Sequence, residues 1–253
     1  MRNPLPPSPY CPPPAEDLKT LHIDDHIVIA NKPAGLLSVP GRGPEKAFCA
    51  VSILSARHGD IFTVHRLDMD TSGIMVFART KPAQSRLARA FQDRRVEKTY
   101  TAIVHGTPAP ASGTINLPIA TFSHQRPLRH IDENGREAIT RYETLKIEGG
   151  KSLISLKPKT GRSHQLRLHL KAIGTPILGD RFYGIGDDSP FLLLHATTLS
   201  FRHPHTNERQ HHIAPIPDYF PLKAPKCSGE TVAAQKINDI QAPADISDQE
   251  TAQ

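Results

Sequence analysis

The sequence predicts an α+β fold, and three observations support this prediction. Strand-like segments outnumber helical ones, two segments place apolar residues at helical spacing, and the two types do not alternate as in a regular βαβ protein. A chain of 253 residues is long enough to bury a core of its own. We expect one catalytic domain over residues 17–223.

Local patterns predict the first elements in chain order. Residues 21–30 (LHIDDHIVIA) predict two short strands joined by a turn at Asp24 and Asp25. Residues 82–95 predict a helix with Pro82 in its first turn, because apolar residues recur along it at helical spacing. Further strands are predicted at residues 98–104, 152–156 and 192–201, and a second helix after Gly161.

Both ends of the chain are expected to lie outside the domain. Residues 1–16 predict a proline-rich arm, since seven of the first 14 residues are proline and lack a backbone donor. Residues 224–253 are poor in aromatic residues and predict a disordered acidic tail. Neither a secretory signal nor a membrane-spanning segment is expected.

The distribution of charge favours a polyanionic partner. The chain has 31 Lys and Arg against 25 Asp and Glu, and two lysines and five acidic residues lie in 226–253. The remaining residues therefore carry a net charge of +9, which favours nucleic acid, although a basic protein without such a partner is an open alternative. Three widely separated cysteines predict no disulfide framework and fit a reducing compartment, the cytoplasm.

Common cofactor motifs are absent from the sequence. It has no G-x-x-x-x-G-K-[ST] loop, no G-x-G-x-x-G after a strand and no G-x-S-x-G elbow. The densest histidine cluster comprises His203, His205, His211 and His212, whose spacing matches no zinc pattern. We therefore expect solvated or strand-edge histidines there, and no metal and no cofactor in the protein.

Residues 64–78 (VHRLDMDTSGIMVFA) hold the densest group of reactive side chains. A polar turn precedes an apolar strand, and Asp68 follows Arg66 at its mouth. Such a carboxylate is a candidate nucleophile or base, although a turn-capping role is equally open. For Asp70, next to Thr71 and Ser72, the turn-capping role is the better interpretation.

Five ordered motifs together resemble the RluA family of pseudouridine synthases. Residues 65–68 (HRLD), with TSG at 71–73, resemble its catalytic motif. The other similar segments are residues 31–36 (NKPAGL), 97–100 (EKTY), 156–167 with 179–180, and 194–196 with 203–204. They extend over about residues 20–220. The resemblance implies the pseudouridine synthase fold, a mixed, largely antiparallel sheet with flanking helices and loops around a central active-site cleft.

The resemblance also implies a reaction and its residues. Uridine would be isomerised to pseudouridine without metal or cofactor, with Asp68 as the catalytic residue. Attack on ribose C1′ and action as a base at C2′ both stay open. Tyr100 would stack on the target base, a role that ranks above proton transfer, and Arg162 would keep Asp68 ionised, with a phosphate-binding or surface role as its alternative. Leu67 lies within the motif.

RNA binding is expected to involve base flipping and a basic surface. Arg66 would fill the gap left by the flipped base or contact a phosphate, and His65 would orient by hydrogen bonding. The other expected RNA-binding residues are Arg86, Arg89, Arg94, Arg95, Arg126 and Arg129, each with a solvated side chain as its alternative, together with His164 and Arg167. Salt-sensitive binding follows.

Two segments resemble one subgroup within the family, the RluA subgroup. They are residues 36–42 and the proline-rich segment that precedes the first strand. That subgroup acts on position 32 of the tRNA anticodon loop and on a loop uridine of 23S rRNA. About 20 residues precede the first strand, too few for an S4-type RNA-binding domain, and we expect a monomer. The alternatives are a catalytically inactive RNA-binding or ribosome-assembly factor, and a hydrolase that uses Asp68 and Asp70 to release free uracil.

Overall fold

The computed structural model describes residues 9–122 and 127–223, and most of their strands form one mixed sheet of ten strands. The strands are β1 (Lys19–Ile23), β2 (Ile27–Lys32), β3 (Phe62–Thr63), β4 (Ser72–Ala78), β5 (Glu97–His105), β6 (Ser112–Asn116), β7 (Ile119–Thr121), β8 (Arg129–Ile131), β9 (Ile139–Glu148), β10 (Lys151–Pro158), β11 (Leu194–Arg202) and β12 (Arg209–Ile213). The helices are α1 (Ala50–His58), α2 (Lys81–Gln92) and α3 (Gln165–Ala172). Two short 3₁₀ turns lie at Ala15–Asp17 and Pro44–Lys46.

The sheet has the strand order β1-β2-β4-β11-β5-β10-β9-β6, with β3 beside β4 and β12 beside β11, and β7 and β8 form a separate hairpin. Strands β4 and β11 run parallel, whereas the other described pairs are antiparallel. At this junction Gly73 has φ +116°, and a Cβ there would lie 2.2 Å from the Ala196 carbonyl oxygen, so only glycine fits. The predicted α+β fold with a largely antiparallel sheet is confirmed.

The predicted first hairpin and first helix are present, and local contacts explain them. Asp24 Oδ1 accepts from the amides of His26 (2.8 Å) and Ile27 (2.9 Å), which closes the turn between β1 and β2. Thr80 caps α2 by accepting from the Ala83 amide. The helix ends at Gln92 rather than residue 95, because Arg94 has a left-handed φ of 58°.

The strands predicted at residues 98–104, 152–156 and 192–201 correspond to β5, β10 and β11. The expectation of two helices was wrong, because α1 forms a third. Its N-terminus is closed by reciprocal contacts between Cys49 and Ser52, and it buries Ala50, Ile53 and Leu54. Cysteine is an uncommon N-cap residue, so no strong start signal marks this helix.

Two apolar clusters pack on the sheet and meet at Tyr100, which is partly buried against both. One contains α1, α2 and strands β2–β4, and the other contains α3 with strands β5, β6, β9 and β10. A third, smaller cluster packs the β7–β8 hairpin against Leu168 of α3. Residues 9–14 run without regular structure, and the Tyr10 hydroxyl donates to the Phe48 carbonyl. Within residues 9–122 and 127–223, no helix has the length and apolar character needed to cross a bilayer. The first half of the predicted arm, residues 1–8, and the whole predicted tail lie outside the described residues.

Candidate active site

A cavity of about 590 Å³ opens where the two apolar clusters meet. Four segments line it: the loop before β4, the end of α2, strand β5 and the chain from β10 into α3. Asp68, Tyr100 and Arg162 all contribute to its wall. The structure therefore brings together three residues that are far apart in the sequence and that the resemblance assigned to one site.

A buried lysine holds the loop that carries Asp68. The Lys32 side chain is fully buried, and its ammonium donates to the carbonyls of Pro33 (2.9 Å), Leu36 (2.8 Å) and Met69 (3.0 Å). Burial lowers the pKa of Lys32 to about 7, while the charges of Asp70 and Asp68 oppose that shift. Lys32 thus ties the turn after β2 to the residue that follows Asp68.

Leu67, the residue before Asp68, is held from the same side of the loop. Its backbone amide donates to Ser38 Oγ (3.1 Å), and Ser38 Oγ donates to its carbonyl (2.8 Å). The Leu67 side chain is buried in the first apolar cluster. Leu67 thus anchors the loop and also contributes to the cavity wall.

The cation beside Asp68 is Arg167, which corrects the expectation for Arg162. Arg167 Nη1 lies 3.8 Å from Asp68 Oδ2, and its other nitrogens bind Asp180 at 2.7 and 2.6 Å. Although burial raises the pKa of Asp180, its hydrogen bonds from Arg167 lower it overall. Arg162 lines the cavity, but its Nε donates to the Glu137 carbonyl (2.9 Å).

Arg167 was also expected to bind RNA, and its burial contradicts that expectation. Its side chain is 2% exposed, because this face of α3 packs into the protein rather than toward solvent. The bidentate pair with Asp180 has the geometry of a strong charge-assisted interaction. The Arg167 guanidinium therefore faces Asp68 and Asp180 rather than the outer surface.

His164 lies next to Asp68 instead of on an RNA-facing surface. It has a left-handed φ of 59°, is 9% exposed, and places Nε2 3.9 Å from Asp68 Oδ2. Its Nδ1 lies 2.7 Å from the Tyr183 hydroxyl oxygen, which already accepts from the Arg129 amide. The hydroxyl proton is therefore free to bind Nδ1. Burial lowers the pKa of His164 to about 4, so the ring is neutral, with its proton on the nitrogen facing Asp68.

Tyr100 and His65 lie on the cavity wall in their neutral forms. Burial, and next the charge of Asp68, raise the pKa of Tyr100 above its ordinary value, which disfavours its action as a base. Burial and the charge of Lys98 lower the pKa of His65 to about 3. His65 Nε2 accepts from the Val76 amide (3.1 Å), and its ring stacks on Phe91. The orienting role expected of His65 stays a prediction.

The predicted RNA-binding arginines have different surroundings. Arg66 is exposed at the cavity mouth, and Arg94 pairs there with Glu137. Arg86, Arg89 and Arg95 are exposed on or just after α2. Arg129 is partly buried, and its guanidinium donates to the carbonyls of its two preceding neighbours. Arg126 lies outside the described residues.

Two other expectations concerned Asp70 and the histidine cluster. Asp70 Oδ2 lies 3.2 Å from Arg181 Nε, an ion pair in place of the expected cap on its own turn. His211 and His212 lie on the edge strand β12, whereas His203 is buried and accepts from the amides of the turn after it. In the part of the chain that the structure describes, no three His, Cys, Asp or Glu side chains are placed to hold a metal ion.

Sequence reasoning missed four residues that shape the site, namely Lys32, Lys98, Asp180 and Tyr183. Lys32, Lys98 and Asp180 lay inside the quoted motifs without a role of their own. A charged side chain is rarely buried without a partner of opposite charge. This rule was the signal that could have suggested a cationic partner for Asp180. Tyr183 had none, since only the tertiary contact with His164 gives it a part in the site.

Comparisons with known proteins agree with this geometry. The family model described as RNA pseudouridylate synthase matches residues 26–172. The chain is 45% identical to "Dual-specificity RNA pseudouridine synthase RluA" of Pasteurella multocida, over 79% of this chain and 93% of that protein. It is 44% identical to the protein of the same name from Escherichia coli K12, over 77% and 91%.

Two solved structures resemble the fold. "Human RNA Pseudouridylate Synthase Domain Containing 1" matches with a TM-score of 0.72 at 26% identity, over 93% of this chain and 99% of that chain. "Human RNA Pseudouridylate Synthase Domain Containing 4" matches with a TM-score of 0.67 at 27% identity, over 81% and 92%. The matched region includes Asp68, Tyr100 and Arg167. The chain therefore belongs to the RNA pseudouridylate synthase family and is an isomerase that converts uridine in RNA to pseudouridine.

Proposed function

We propose that this enzyme modifies two RNAs, at position 32 of the tRNA anticodon loop and at a loop uridine of 23S rRNA, and that it acts as a cytoplasmic monomer. The observation that carries the proposal is a sequence identity of 42–45%, over most of the chain, to relatives named dual-specificity RNA pseudouridine synthases. Reading unpaired bases in a loop is how proteins commonly recognise RNA sequence.

In this proposal Asp68 acts on the ribose of the target nucleotide. Cleavage of the glycosidic bond develops positive charge on the sugar, and a carboxylate stabilises or traps that charge, as in retaining glycosidases. Asp68 must be ionised for this purpose. Arg167 Nη1 at 3.8 Å and His164 Nε2 at 3.9 Å face its carboxylate from one side.

Tyr100 and Arg66 are proposed to hold the flipped nucleotide. Flipping a base from a loop costs a few kcal/mol, and stacking on an aromatic ring returns about 1–3 kcal/mol. Tyr100 is the aromatic residue on the same wall as Asp68, and its raised pKa favours stacking over proton transfer. Arg66, exposed at the mouth, is placed to enter the space that the base leaves.

Exposed arginines beside the cavity are proposed to bind the RNA backbone. Arg86, Arg89 and Arg94 lie on α2 or directly after it, and the end of α2 lines the cavity. Each phosphate that they neutralise releases counterions, so affinity should fall with salt. Arg162, half-buried at the same mouth, is reassigned from support of Asp68 to contact with RNA.

The proposal is tested by mapping pseudouridine in two transcripts. Unmodified tRNA with U32 and a 23S rRNA fragment are incubated separately with enzyme, and pseudouridine is located by chemical derivatisation and primer extension. We expect one modified uridine in each RNA and no free uracil. Modification of only one RNA would remove the dual specificity. Free uracil would support the hydrolase instead, and binding without modification would support the inactive factor.

A further inference from the structure

Lys98 lines the cavity, and the reaction described so far gives its ammonium group no role. It lies on β5 two residues before Tyr100, so both side chains leave the same face of the strand, roughly 7 Å apart. Its Nζ is 6.0 Å from the centroid of the Phe91 ring and lies beside Gly161. Within the described residues, Nζ has neither a hydrogen bond nor an ion pair.

An ammonium in this position is costly to the free protein. Lys98 is partly buried, and burial lowers its pKa below the ordinary value of 10.5 with no carboxylate to offset the effect. Removing a cation from water without a partner is unfavourable, so the cavity is primed to accept negative charge at this point. The question is which part of the substrate supplies that charge.

The positions of Asp68 and Lys98 relative to Tyr100 give the answer. Ala196 of β11 pairs with Tyr100 of β5 and with Gly73 of β4, whereas Lys98 pairs with Leu199, farther along β11. Because the loop that carries Asp68 leads into the Ser72 end of β4, Tyr100 lies nearer to Asp68 than Lys98 does. A uridine with its ribose at Asp68 and its base on Tyr100 would extend toward Lys98. The atom opposite N1 across the ring is C4, so O4 would face the ammonium.

The chemistry of the reaction generates negative charge at that edge. When the N1–C1′ bond breaks, its electron pair stays with the base, and the resulting uracil anion shares its charge among N1, O2 and O4. After rotation C5 faces C1′, and the atom opposite C5 is C2, which brings O2 to the same edge. One fixed ammonium would therefore meet a charged carbonyl oxygen both before and after rotation.

We propose that Lys98 is a catalytic residue that stabilises the uracil anion through O4 before rotation and O2 after it. The inference rests on the proposed function and deepens it. In the complete reaction the N1–C1′ bond breaks and a C5–C1′ bond forms, the C5 proton passes to water, and N1 regains a proton. Lys98 stays protonated throughout, in the manner of a fixed donor aimed at developing charge.

The first test separates catalysis from binding. Wild type, Lys98→Met and Lys98→Arg are compared on RNA with 5-tritiated uridine under single-turnover conditions, with RNA affinity measured in parallel. We expect Lys98→Met to lower the rate by about 10²–10³-fold, as loss of one such donor does, with Kd unchanged within about threefold. Lys98→Arg keeps the charge and should retain a rate within about tenfold. Lys151→Met, at an exposed lysine outside the cavity, is the matched control.

A second substrate tests for the anion itself. Fluorine at C5 stabilises the uracil anion, so RNA with 5-fluorouridine needs less help from Lys98. The rate on this substrate is measured as the loss of 5-fluorouridine, determined after nuclease digestion of the RNA. We expect the rate defect of Lys98→Met to be at least tenfold smaller on 5-fluorouridine than on uridine. With uridine RNA, the wild-type rate should fall as pH rises through the lowered pKa of Lys98. In Lys98→Arg the same fall in rate should occur at higher pH, because arginine has the higher pKa.

Each other outcome overturns the proposal. A Lys98→Met rate equal to wild type excludes a catalytic role, and a weakened Kd at an unchanged rate assigns Lys98 to a phosphate. If Lys98→Met lowers the rate equally on uridine and 5-fluorouridine, Lys98 has a structural role and does not stabilise the anion. A wild-type enzyme that modifies neither transcript overturns the proposed function, and the inference falls with it.

Discussion

The charged residues of the cavity fall into two groups that differ in how they are held. The buried cluster consists of Lys32, His164, Arg167 and Asp180, which surround the partly exposed Asp68. The rim arginines are Arg66, Arg94 and Arg162, which line the cavity, together with Arg86 and Arg89 on the exposed face of α2. Most members of the buried cluster bind a partner within the protein, as in the ion pair between the buried side chains of Arg167 and Asp180. The rim arginines keep access to solvent.

This difference separates chemistry from binding. A charge in a low-dielectric site interacts strongly with its neighbours and cannot reorient, which suits it to hold one reacting group in place. An exposed arginine interacts weakly with the protein but strongly with a dense array of phosphates. On the proposed function, the reaction groups thus lie inside the cavity, and the RNA-binding groups lie at its rim and on α2.

The largest expected effect comes from breaking the buried cluster at Arg167. Arg167→Met leaves Asp180 buried without its partner, and we expect a loss of about 3–5 kcal/mol in the free energy of unfolding. Replacing both, Arg167→Met with Asp180→Leu, should recover most of that stability but not activity, since Asp68 still lacks its cation. Urea unfolding and single-turnover rates measure the two effects.

The matched control for this prediction is Arg162→Met. It removes an arginine from the rim of the same cavity and should change the unfolding free energy by less than about 1 kcal/mol. If Arg162→Met costs as much stability and activity as Arg167→Met, the division into a buried cluster and a rim is wrong.

An intermediate effect is expected from acid. Burial lowers the pKa of His195 to about 4, whereas an unfolded histidine titrates near 6.5. Between these values the unfolded state binds more protons, so stability falls as pH falls from about 6.5 to 4. His164, with a pKa of about 4, adds in the same direction.

Urea unfolding at several pH values checks this prediction. His195→Gln should reduce the slope in that window by about one proton, or roughly 1.4 kcal/mol per pH unit. Ser72→Ala, which removes the hydrogen-bond partner of His195 but keeps the ring, should retain the wild-type slope. An unchanged slope in His195→Gln would mean that the ring is already charged in the folded protein.

The smallest expected effect belongs to the rim arginines. Arg86→Gln, Arg89→Gln and Arg94→Gln should each weaken RNA binding and reduce the slope of log K against log salt by about 0.7–0.9 per lost phosphate contact. Folding and the single-turnover rate at saturating RNA should not change. Filter binding at several salt concentrations measures the slope, with exposed Lys151→Gln as control. A slope that stays constant in all three variants would remove them from the RNA interface.

Local patterns predicted much of the fold, because hairpins, helices and turns depend on neighbouring residues. The turn at Asp24 and the helix after Thr80 each rest on contacts within a few residues. Helix α1 was missed because its cap uses Cys49. The arm over residues 1–16 and the acidic tail over 224–253 stay predictions.

The site was predicted less completely, because its contacts join distant segments. Arg162 lies in the loop before α3 and Arg167 lies within the helix, and only the tertiary packing of these two segments decides which one faces Asp68. The backbone of His164 in the left-handed region starts that helix, and no sequence pattern signals it. Fully buried lysine is rare, so the role of Lys32 could not be inferred from its residue type.

The central claim is that Asp68, ionised beside Arg167, carries out the reaction. Tritium release from RNA with 5-tritiated uridine tests it most directly, comparing wild type with Asp68→Asn and with Asp70→Asn as the matched neighbouring carboxylate. We predict release by wild type and, within about tenfold, by Asp70→Asn, and none by Asp68→Asn although it still binds RNA. Release by Asp68→Asn at the wild-type rate would contradict the claim.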